Sequence, residues 1–284
     1  MPEFVRIFEM APRDGLQNEK RLVPLSEKVR LVDMLSECGL RKIEATSFVS
    51  PKWVPQMADA ADVMAGIYRK AGVAYTALVP NLKGYEAARA AVVSEVAVFA
   101  SASETFSRRN INCSIAESLE RFQPVLAAAS ADGIPVRGYV SCVTDCPYEG
   151  SISPVAVAKI ATELLKMGCY EISLGDTIGH GTPTTIAAML DAVLKEVPSE
   201  RLAGHYHDTR AQALDNILVS LERGLRTFDA AVGGLGGCPY APGAKGNVDT
   251  LAVATLLATR GYETGLNLKH LGDAAGFAVS LRRE

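Results

Sequence analysis

The stretch on which the fold prediction rests covers residues 170–207 and reads YEISLGDTIGHGTPTTIAAMLDAVLKEVPSERLAGHYH. Short runs with β-forming residues at 170–174 and 202–207 predict two strands. Between them, residues 183–196 place apolar side chains at helical spacing. Thr182 can cap this helix, and proline follows in its first turn. The stretch therefore predicts a strand, a helix and a second strand in succession.

The same alternation of a short strand and a longer amphipathic helix repeats along the chain. Strands are predicted at residues 5–10, 42–46, 74–79, 95–100, 136–141, 170–174, 202–207 and 226–232. Eight such units without a flexible linker predict one closed (β/α)₈ barrel, a TIM barrel, over residues 1–284, with a C-terminal helical segment at about 268–284. A doubly wound sheet is disfavoured, because no Gly-x-Gly-x-x-Gly turn follows the first strand.

The composition is that of an ordinary globular protein. The 284 residues include 48% hydrophobic and 21% charged residues, with a net charge of −3. This charge gives no reason to expect a nucleic acid or a membrane surface as a partner. The six cysteines are scattered, and the sequence contains neither a signal peptide nor an apolar run long enough to span a membrane. We therefore expect a cytoplasmic location.

In a barrel of this kind the chemistry lies at the carboxyl ends of the strands, and several predicted ends are polar. The seventh strand ends in His205, Tyr206 and His207, and side chains two apart on a strand point the same way. This pair of histidines fits either a metal site or two unrelated polar residues at a strand end. Asp14, which follows the first strand, can add a carboxylate ligand, so we favour a metal site.

Other polar residues at the predicted strand ends each have two interpretations. Arg13 forms either a surface ion pair or a rigid set of donors for a carbonyl or carboxylate. Glu44 and Asp176 either cap a loop or orient a ligand. The glycine-rich segment 233–247 indicates an ordered loop close to a ligand rather than a linker. Cys238 within it is either an acid or base with a tuned pKa or a small apolar residue.

Longer runs of the sequence match a known family. They are residues 12–20 (PRDGLQNEK), 43–56 (IEATSFVSPKWVPQ), 138–142 (GYVSC), 169–179 (CYEISLGDTIG) and 234–240 (GLGGCPY). On these runs, which are distributed over essentially the whole chain, the sequence resembles the 3-hydroxy-3-methylglutaryl-CoA lyases, members of the metal-dependent lyase and acyltransferase barrels. The last run is similar to the signature loop of that family.

The resemblance implies a site and a reaction. The implied ligands of a single Mg²⁺ or Mn²⁺ ion are Asp14, His205, His207 and Asn247. The implied catalytic residues are Arg13, Asp14, Glu44, Asp176, His205 and Cys238. The implied substrate is a small acyl-CoA, 3-hydroxy-3-methylglutaryl-CoA, which is cleaved to acetyl-CoA and acetoacetate, and a homodimer is expected. Cys238 would return a proton to the product, and the base would be either Asp14 or His205.

The sequence departs from the animal members of the family at a few positions. Lys245 stands where those members have serine, and Leu251 and Ala252 replace an acidic pair. These departures leave the implied metal ligands intact but bear on the acyl group that is accepted. Three alternatives stay open: a lyase for a longer, branched 3-hydroxyglutaryl-CoA, a condensing enzyme of the isopropylmalate synthase kind, and a metal-binding barrel without catalysis.

Overall fold

A computed structural model describes residues 2–236 and 246–282. The strands are β1 (Arg6–Glu9), β2 (Lys42–Ser47), β3 (Ala74–Leu78), β4 (Glu95–Ser101), β5 (Val136–Ser141), β6 (Asp145–Cys146), β7 (Gly150–Ser151), β8 (Ile172–Asp176), β9 (Leu202–Tyr206) and β10 (Thr227–Ala230). Within the described residues, eight parallel strands close into a barrel in the order β1-β10-β9-β8-β5-β4-β3-β2, while β6 and β7 form a small antiparallel hairpin. This architecture confirms the predicted (β/α)₈ barrel.

Helices connect the strands and cover the outside of the barrel. The α-helices of the described residues are α1 (Leu25–Ser36), α2 (Ala60–Gly66), α3 (Leu82–Ala90), α4 (Glu104–Ile111), α5 (Ile115–Asp132), α6 (Pro154–Lys166), α7 (Pro183–Val193), α8 (Ala213–Glu222), α9 (Thr250–Thr259) and α10 (Leu268–Ser280). None of the helices found in the described ranges combines the length and the apolar character that crossing a membrane requires. The cytoplasmic location stays a prediction.

The capping residues suggested by the sequence are correct for α7 but not for α1. Thr182 caps α7 as predicted and exchanges hydrogen bonds with Thr185 in a capping box. The sequence also predicts a helix at residues 26–38 with Ser26 as a possible cap, but α1 begins at Leu25, so Ser26 lies within its first turn and does not cap it. Pro24 occupies the N-cap position, and proline suits a helix start because its fixed φ is compatible with the turn and its missing N–H is not needed there.

The inside of the barrel is partly polar. Arg137 on β5 donates hydrogen bonds of 3.0 and 2.8 Å to the carboxylate of Asp229 on β10. Because β5 and β10 are not neighbours in the barrel, the two side chains meet inside it. Arg137 also donates to Glu171 at 2.8 Å, and its guanidinium lies 4.5 Å from the ring centroid of Phe8. The buried charges are thus paired, as burial in a medium of low polarity requires.

Glu9, the last residue of β1, is a fully buried carboxyl group. It accepts hydrogen bonds of 2.9 Å from the backbone N–H groups of Ala11 and Val232 and one of 2.7 Å from the hydroxyl of Thr250. Burial raises the pKa of Glu9 to about 7, although these hydrogen bonds act to lower it. Glu9 therefore ties the ends of β1 and β10 to the start of α9.

Replacing Glu9 by glutamine is expected to flatten the pH dependence of the free energy of unfolding. A carboxyl group with a pKa near 7 when folded and near 4.3 when unfolded binds more protons in the folded state between these pH values. Its stabilising contribution is therefore present at acidic pH and is lost as the pH rises through about 7. We expect wild-type protein to lose about 2 kcal/mol more than Glu9→Gln between about pH 5.5 and 8.5.

The measurement is urea unfolding at several pH values in the presence of a chelator. Glu120→Gln is the matched control, because it removes the same charge from an exposed position on α5. Its pH profile should follow that of the wild type. Identical profiles for all three proteins would show that the pKa of Glu9 is not raised.

Candidate active site

A cavity of about 620 Å³ opens at the carboxyl ends of the barrel strands. The residues that line it include Arg13 and Asp14, which follow β1, Tyr139 on β5, and His205 and His207 at the end of β9. Parallel strands in a barrel bring their carboxyl ends to the same face, which is why residues distant in sequence meet here. The cavity therefore lies where the strand-end argument predicts an active site.

Asp14, His205 and His207 point at one another across this cavity. The Oδ2 atom of Asp14 lies 3.8 Å from Nε2 of His205 and 3.9 Å from Nε2 of His207. One possible ligand atom from each of the three residues lies within 4.8 Å of the others. Because these donors are close enough to share one divalent cation, the structure brings together three of the four ligands that the resemblance implies.

The imidazole of His205 is oriented by a buried carboxylate. Its Nδ1 atom lies 3.1 Å from Oδ2 of Asp229, which leaves Nε2 facing Asp14. Burial alone lowers the pKa of His205, but the hydrogen bond to Asp229 and the charge of Asp14 raise it above its ordinary value. The pKa of Asp229 is lowered to about 2, because the charge of Arg137 outweighs the effect of burial. Asp229 is therefore a carboxylate throughout the physiological pH range.

His207 has no comparable support. Its Nδ1 atom is buried and has no hydrogen-bond partner within the described part of the chain. Burial and the neighbouring His205 lower the pKa of His207 to about 4. The imidazole is thus neutral at neutral pH, which is the form that binds metal ions. With the single imidazole proton on Nδ1, the lone pair is on Nε2, which faces Oδ2 of Asp14 at 3.9 Å and can bind a cation there.

Asn247 reaches the cluster from the segment that precedes α9. Its backbone lies in an antiparallel bridge opposite His207, and its amide nitrogen donates to Oδ2 of Asp14 at 2.7 Å and to the carbonyl of Leu235 at 3.2 Å. In this orientation the nitrogen, and not the oxygen, faces Asp14. A cation beside Asp14 would favour the flipped amide, because a cation attracts the oxygen and repels the N–H groups.

A tight turn after β1 presents Arg13 and Asp14 to the cavity. The N–H of Gly15 bonds to the carbonyl of Met10 at 3.0 Å and closes the single π-helical turn Ala11–Gly15. A Cβ atom at position 15 would lie only 2.8 Å from the Cβ of Leu235, so glycine is required for this close approach. π-helical turns of this kind occur frequently at functional sites.

Arg13 links the cluster to the barrel interior. Its Nε donates to Glu44 at 2.5 Å and its Nη1 donates to Asp14 at 2.7 Å. Burial raises the pKa of Asp14, but the charge of Arg13 and the two histidines lower it overall, so Asp14 is ionised. Burial also raises the pKa of Glu44 against the opposing effect of Arg13. Glu44 in turn accepts a hydrogen bond of 3.0 Å from the hydroxyl of Tyr139. Glu44 thus orients Arg13 and does not itself line the cavity.

Asp176 differs from the other predicted catalytic residues in its surroundings. Its carboxylate accepts hydrogen bonds from the hydroxyl of Thr144 at 3.1 Å and from the N–H groups of His180 and Gly181 at 3.2 and 2.8 Å. The cavity is lined by its neighbours Gly175 and Thr177 and not by Asp176. These contacts correspond to the loop-capping interpretation, in which Asp176 holds the loop that leads to α7.

One predicted site residue lies outside the described part of the chain, and three residues behind the cluster were not predicted. Cys238 and most of the glycine-rich loop lie outside the described residues, so the predicted role of Cys238 has no structural counterpart here. Conversely, sequence reasoning missed Tyr139, Arg137 and Asp229. The available signal was the alternation of side chains along a strand, which places Arg137 and Tyr139 on the same face of β5.

Comparison with known proteins identifies the family and agrees with the fold. The family model described as HMGL-like matches residues 4–277. A mitochondrial hydroxymethylglutaryl-CoA lyase from Bos taurus is 59% identical over 97% of this chain and 85% of its own length. A 3-hydroxy-3-isohexenylglutaryl-CoA/hydroxymethylglutaryl-CoA lyase from Pseudomonas aeruginosa is 58% identical over 96% of this chain and 91% of its own length. The crystal structure of the HMG-CoA lyase from Brucella melitensis has 64% sequence identity and a TM-score of 0.99, and the match covers 99% of this chain and 100% of that one. The chain belongs to the HMGL-like family.

Proposed function

We propose that this protein is a lyase that uses Mg²⁺ or Mn²⁺ to cleave 3-hydroxy-3-methylglutaryl-CoA into acetyl-CoA and acetoacetate. The observation that supports this best is the convergence of Asp14, His205 and His207 beside Arg13 in one cavity. Relatives of 59% and 58% identity are named for the same activity. The proposed substrate is an acyl-CoA, and the proposed assembly is a homodimer, which sedimentation of the purified protein would test.

The residues around the cluster fit a divalent cation. Asp14, His205 and His207 would hold it, together with the side-chain oxygen of Asn247. The carboxylate of Asp14 is ionised and faces the Nε2 atoms of His205 and His207 at 3.8 and 3.9 Å, so it presents a negative charge to an ion held between them. When bound, the ion would act as a Lewis acid that lowers the pKa of the substrate's tertiary hydroxyl group.

The chain supplies groups for each proton transfer and charge change of the reaction. Cleavage begins with loss of the hydroxyl proton, and the acceptor is Asp14 or His205, whose facing atoms are 3.8 Å apart. The deprotonated oxygen forms the C3=O double bond of acetoacetate as the bond between C2 and C3 breaks, and the electron pair of that bond moves to C2 and is delocalised onto the thioester oxygen as an enolate. Arg13 is held by Glu44 and Asp14 so that the remaining guanidinium nitrogen can donate to that oxygen. Cys238 then transfers a proton to C2, which yields acetyl-CoA.

The test is an assay for acetoacetate with purified protein and 3-hydroxy-3-methylglutaryl-CoA. We expect product in the presence of Mg²⁺ or Mn²⁺, a decrease of at least about 100-fold after chelation, and recovery when the ion is added in excess. A coupling enzyme detects the acetoacetate, and the control is that enzyme alone with added acetoacetate and chelator. Activity that is insensitive to chelation would contradict the role of the metal, and a protein inert under all conditions would support the alternative of a non-catalytic metal-binding barrel.

A second candidate substrate is a longer, branched 3-hydroxyglutaryl-CoA. The relative from Pseudomonas aeruginosa, which is 58% identical, is named for both an isohexenyl and a methyl substrate. Comparing kcat/KM for the two substrates in the same assay distinguishes the candidates. A higher value for the isohexenyl compound would identify the longer substrate as the natural one.

A further inference from the structure

We infer that Asp229 is a positioning residue for the cation site, which it fixes by holding His205 in one tautomer and orientation, with Arg137 locking Asp229 in place. This inference rests on the proposed metal-dependent function. Asp229 does not line the cavity, so it acts on the cation through His205 alone. It lies within β10, and a position inside a predicted strand gave no reason to select it from the sequence.

The surroundings of Asp229 leave its carboxylate no freedom to move. The residue is 1% exposed, and both of its oxygens are engaged. Arg137 donates to Oδ1 at 2.8 Å and to Oδ2 at 3.0 Å. The hydroxyl of Ser173 donates to Oδ2 at 2.7 Å, and Nδ1 of His205 lies 3.1 Å from the same atom. A paired guanidinium–carboxylate contact of this kind fixes the plane of the carboxylate as well as its position.

This arrangement selects one tautomer of His205. A carboxylate has no hydrogen to donate, so the hydrogen bond at 3.1 Å requires the proton to be on Nδ1 of His205. The lone pair is then on Nε2, which faces Oδ2 of Asp14 at 3.8 Å. An imidazole whose second nitrogen is held by a carboxylate presents a preoriented ligand to a metal ion. His207, by contrast, has no such partner among the described residues.

The same hydrogen bonds connect both sides of the cation site through the barrel interior. From His205 they run through Asp229 to Arg137, which donates to the hydroxyl of Tyr139 at 3.1 Å. Tyr139 donates to Glu44 at 3.0 Å, and Arg13 donates to Glu44 and to Asp14. His205 and Asp14 are thus the two ends of one chain of hydrogen bonds. Asp229 holds His205 and Arg13 holds Asp14, which preorganises the two ligands for a cation.

The test compares Asp229→Asn with Glu171→Gln in the full-length protein. Both changes replace a buried carboxylate that bonds to Arg137 by the corresponding amide, but only Asp229 contacts His205. Glu171→Gln therefore controls for the loss of a buried ion pair. Dissociation constants for Mn²⁺ are measured by electron paramagnetic resonance, and thermal unfolding in chelator reports the stability of each metal-free variant.

We expect Asp229→Asn to weaken Mn²⁺ binding by about 10–100-fold, the range typical of residues that orient a metal ligand, and Glu171→Gln to bind Mn²⁺ within about threefold of the wild type. Equal losses in the two variants, or wild-type affinity of folded Asp229→Asn, would overturn the inference. Normal Mn²⁺ binding by Asp229→Asn overturns this inference alone, whereas a wild-type protein that binds no Mn²⁺ overturns the proposed function as well.

A second measurement does not depend on Asp229→Asn. Nitrogen-15 NMR of the metal-free wild-type protein at mildly alkaline pH distinguishes the two neutral tautomers of each histidine. We expect His205 to carry its proton on Nδ1, assigned by its loss in a His205→Ala sample. A proton on Nε2 would overturn the inference even if Asp229→Asn fails to fold.

Discussion

Replacing Arg13 by lysine is expected to lower kcat/KM for 3-hydroxy-3-methylglutaryl-CoA by roughly 10²–10³-fold, or about 3–4 kcal/mol of transition-state stabilisation. The reason is that each of the three nitrogens in the planar guanidinium group of Arg13 has a different interaction. Nε holds Glu44 and Nη1 holds Asp14, while Nη2 has no hydrogen-bond partner among residues 2–236 and 246–282 and remains available to the substrate. Lysine keeps the charge but has a single nitrogen at the end of a flexible chain, so it cannot perform all three tasks.

The measurement is steady-state kinetics under saturating Mn²⁺, with thermal unfolding as a check on the fold. Arg223→Lys is the matched control, because the guanidinium of Arg223 also contacts a carboxylate, that of Asp191, through two nitrogens, but on the protein surface. It should leave kcat/KM unchanged. A value for Arg13→Lys within a few-fold of the wild type would remove Arg13 from the reaction.

The fold was largely predictable because its signals are local. Each strand is a short run with β-forming residues, and helices such as α7 have both a cap and apolar residues at helical spacing. The rule that activity lies at the carboxyl ends of barrel strands then selected Asp14, His205 and His207, which the structure brings within reach of one cation. His205 and His207 lie at the end of β9, and Asp14 lies in the single turn Ala11–Gly15 that follows β1, so a strand prediction that is correct to within two residues is sufficient to find them.

The parts that sequence reasoning missed depend on which way a side chain points. Arg137 and Asp229 lie within strands whose two faces are both buried, and alternation alone does not say which face is inside the barrel. The same alternation explains why Asp176 differs from the histidines. Gly175 and Thr177 face the cavity, so the residue between them faces the outer loop, where Asp176 finds its partners. A position at the end of a strand is therefore not sufficient to predict an active-site residue unless the direction of the side chain is also known.

Asn247 illustrates a different limit. Its assignment came from the family resemblance, because no spacing within the sequence relates it to the histidines. The structure supplies the relation as an antiparallel bridge between His207 and Asn247, supported by a backbone hydrogen bond of 3.2 Å from Val248 to Tyr206. Such a bridge between a strand end and a loop forms only in the folded chain, so only long-range information could have identified it.

Replacing His207 by alanine is expected to weaken Mn²⁺ binding by at least about 100-fold, more than the loss of a residue that only orients a ligand. The expectation follows from the position of its Nε2, 3.9 Å from Oδ2 of Asp14, and from the low pKa that keeps the imidazole neutral. His270→Ala is the control, because His270 is exposed on α10 and does not line the cavity. Titration with Mn²⁺, followed by electron paramagnetic resonance, measures the dissociation constants of both variants. Unchanged affinity of His207→Ala would exclude His207 from the ligands.

Thermal stability gives an independent readout of the same change. At a Mn²⁺ concentration about 100 times the wild-type dissociation constant, the bound ion stabilises the wild type by about 2.7 kcal/mol, whereas a variant with 100-fold weaker binding gains only about 0.4 kcal/mol. Without metal, His207→Ala should lose little stability, because His207 lines an open cavity and its Nδ1 has no partner within the described residues. If His207→Ala is less stable than the wild type by the same amount with and without Mn²⁺, the role of His207 is in packing. If the two proteins differ in stability only when Mn²⁺ is present, His207 binds the metal.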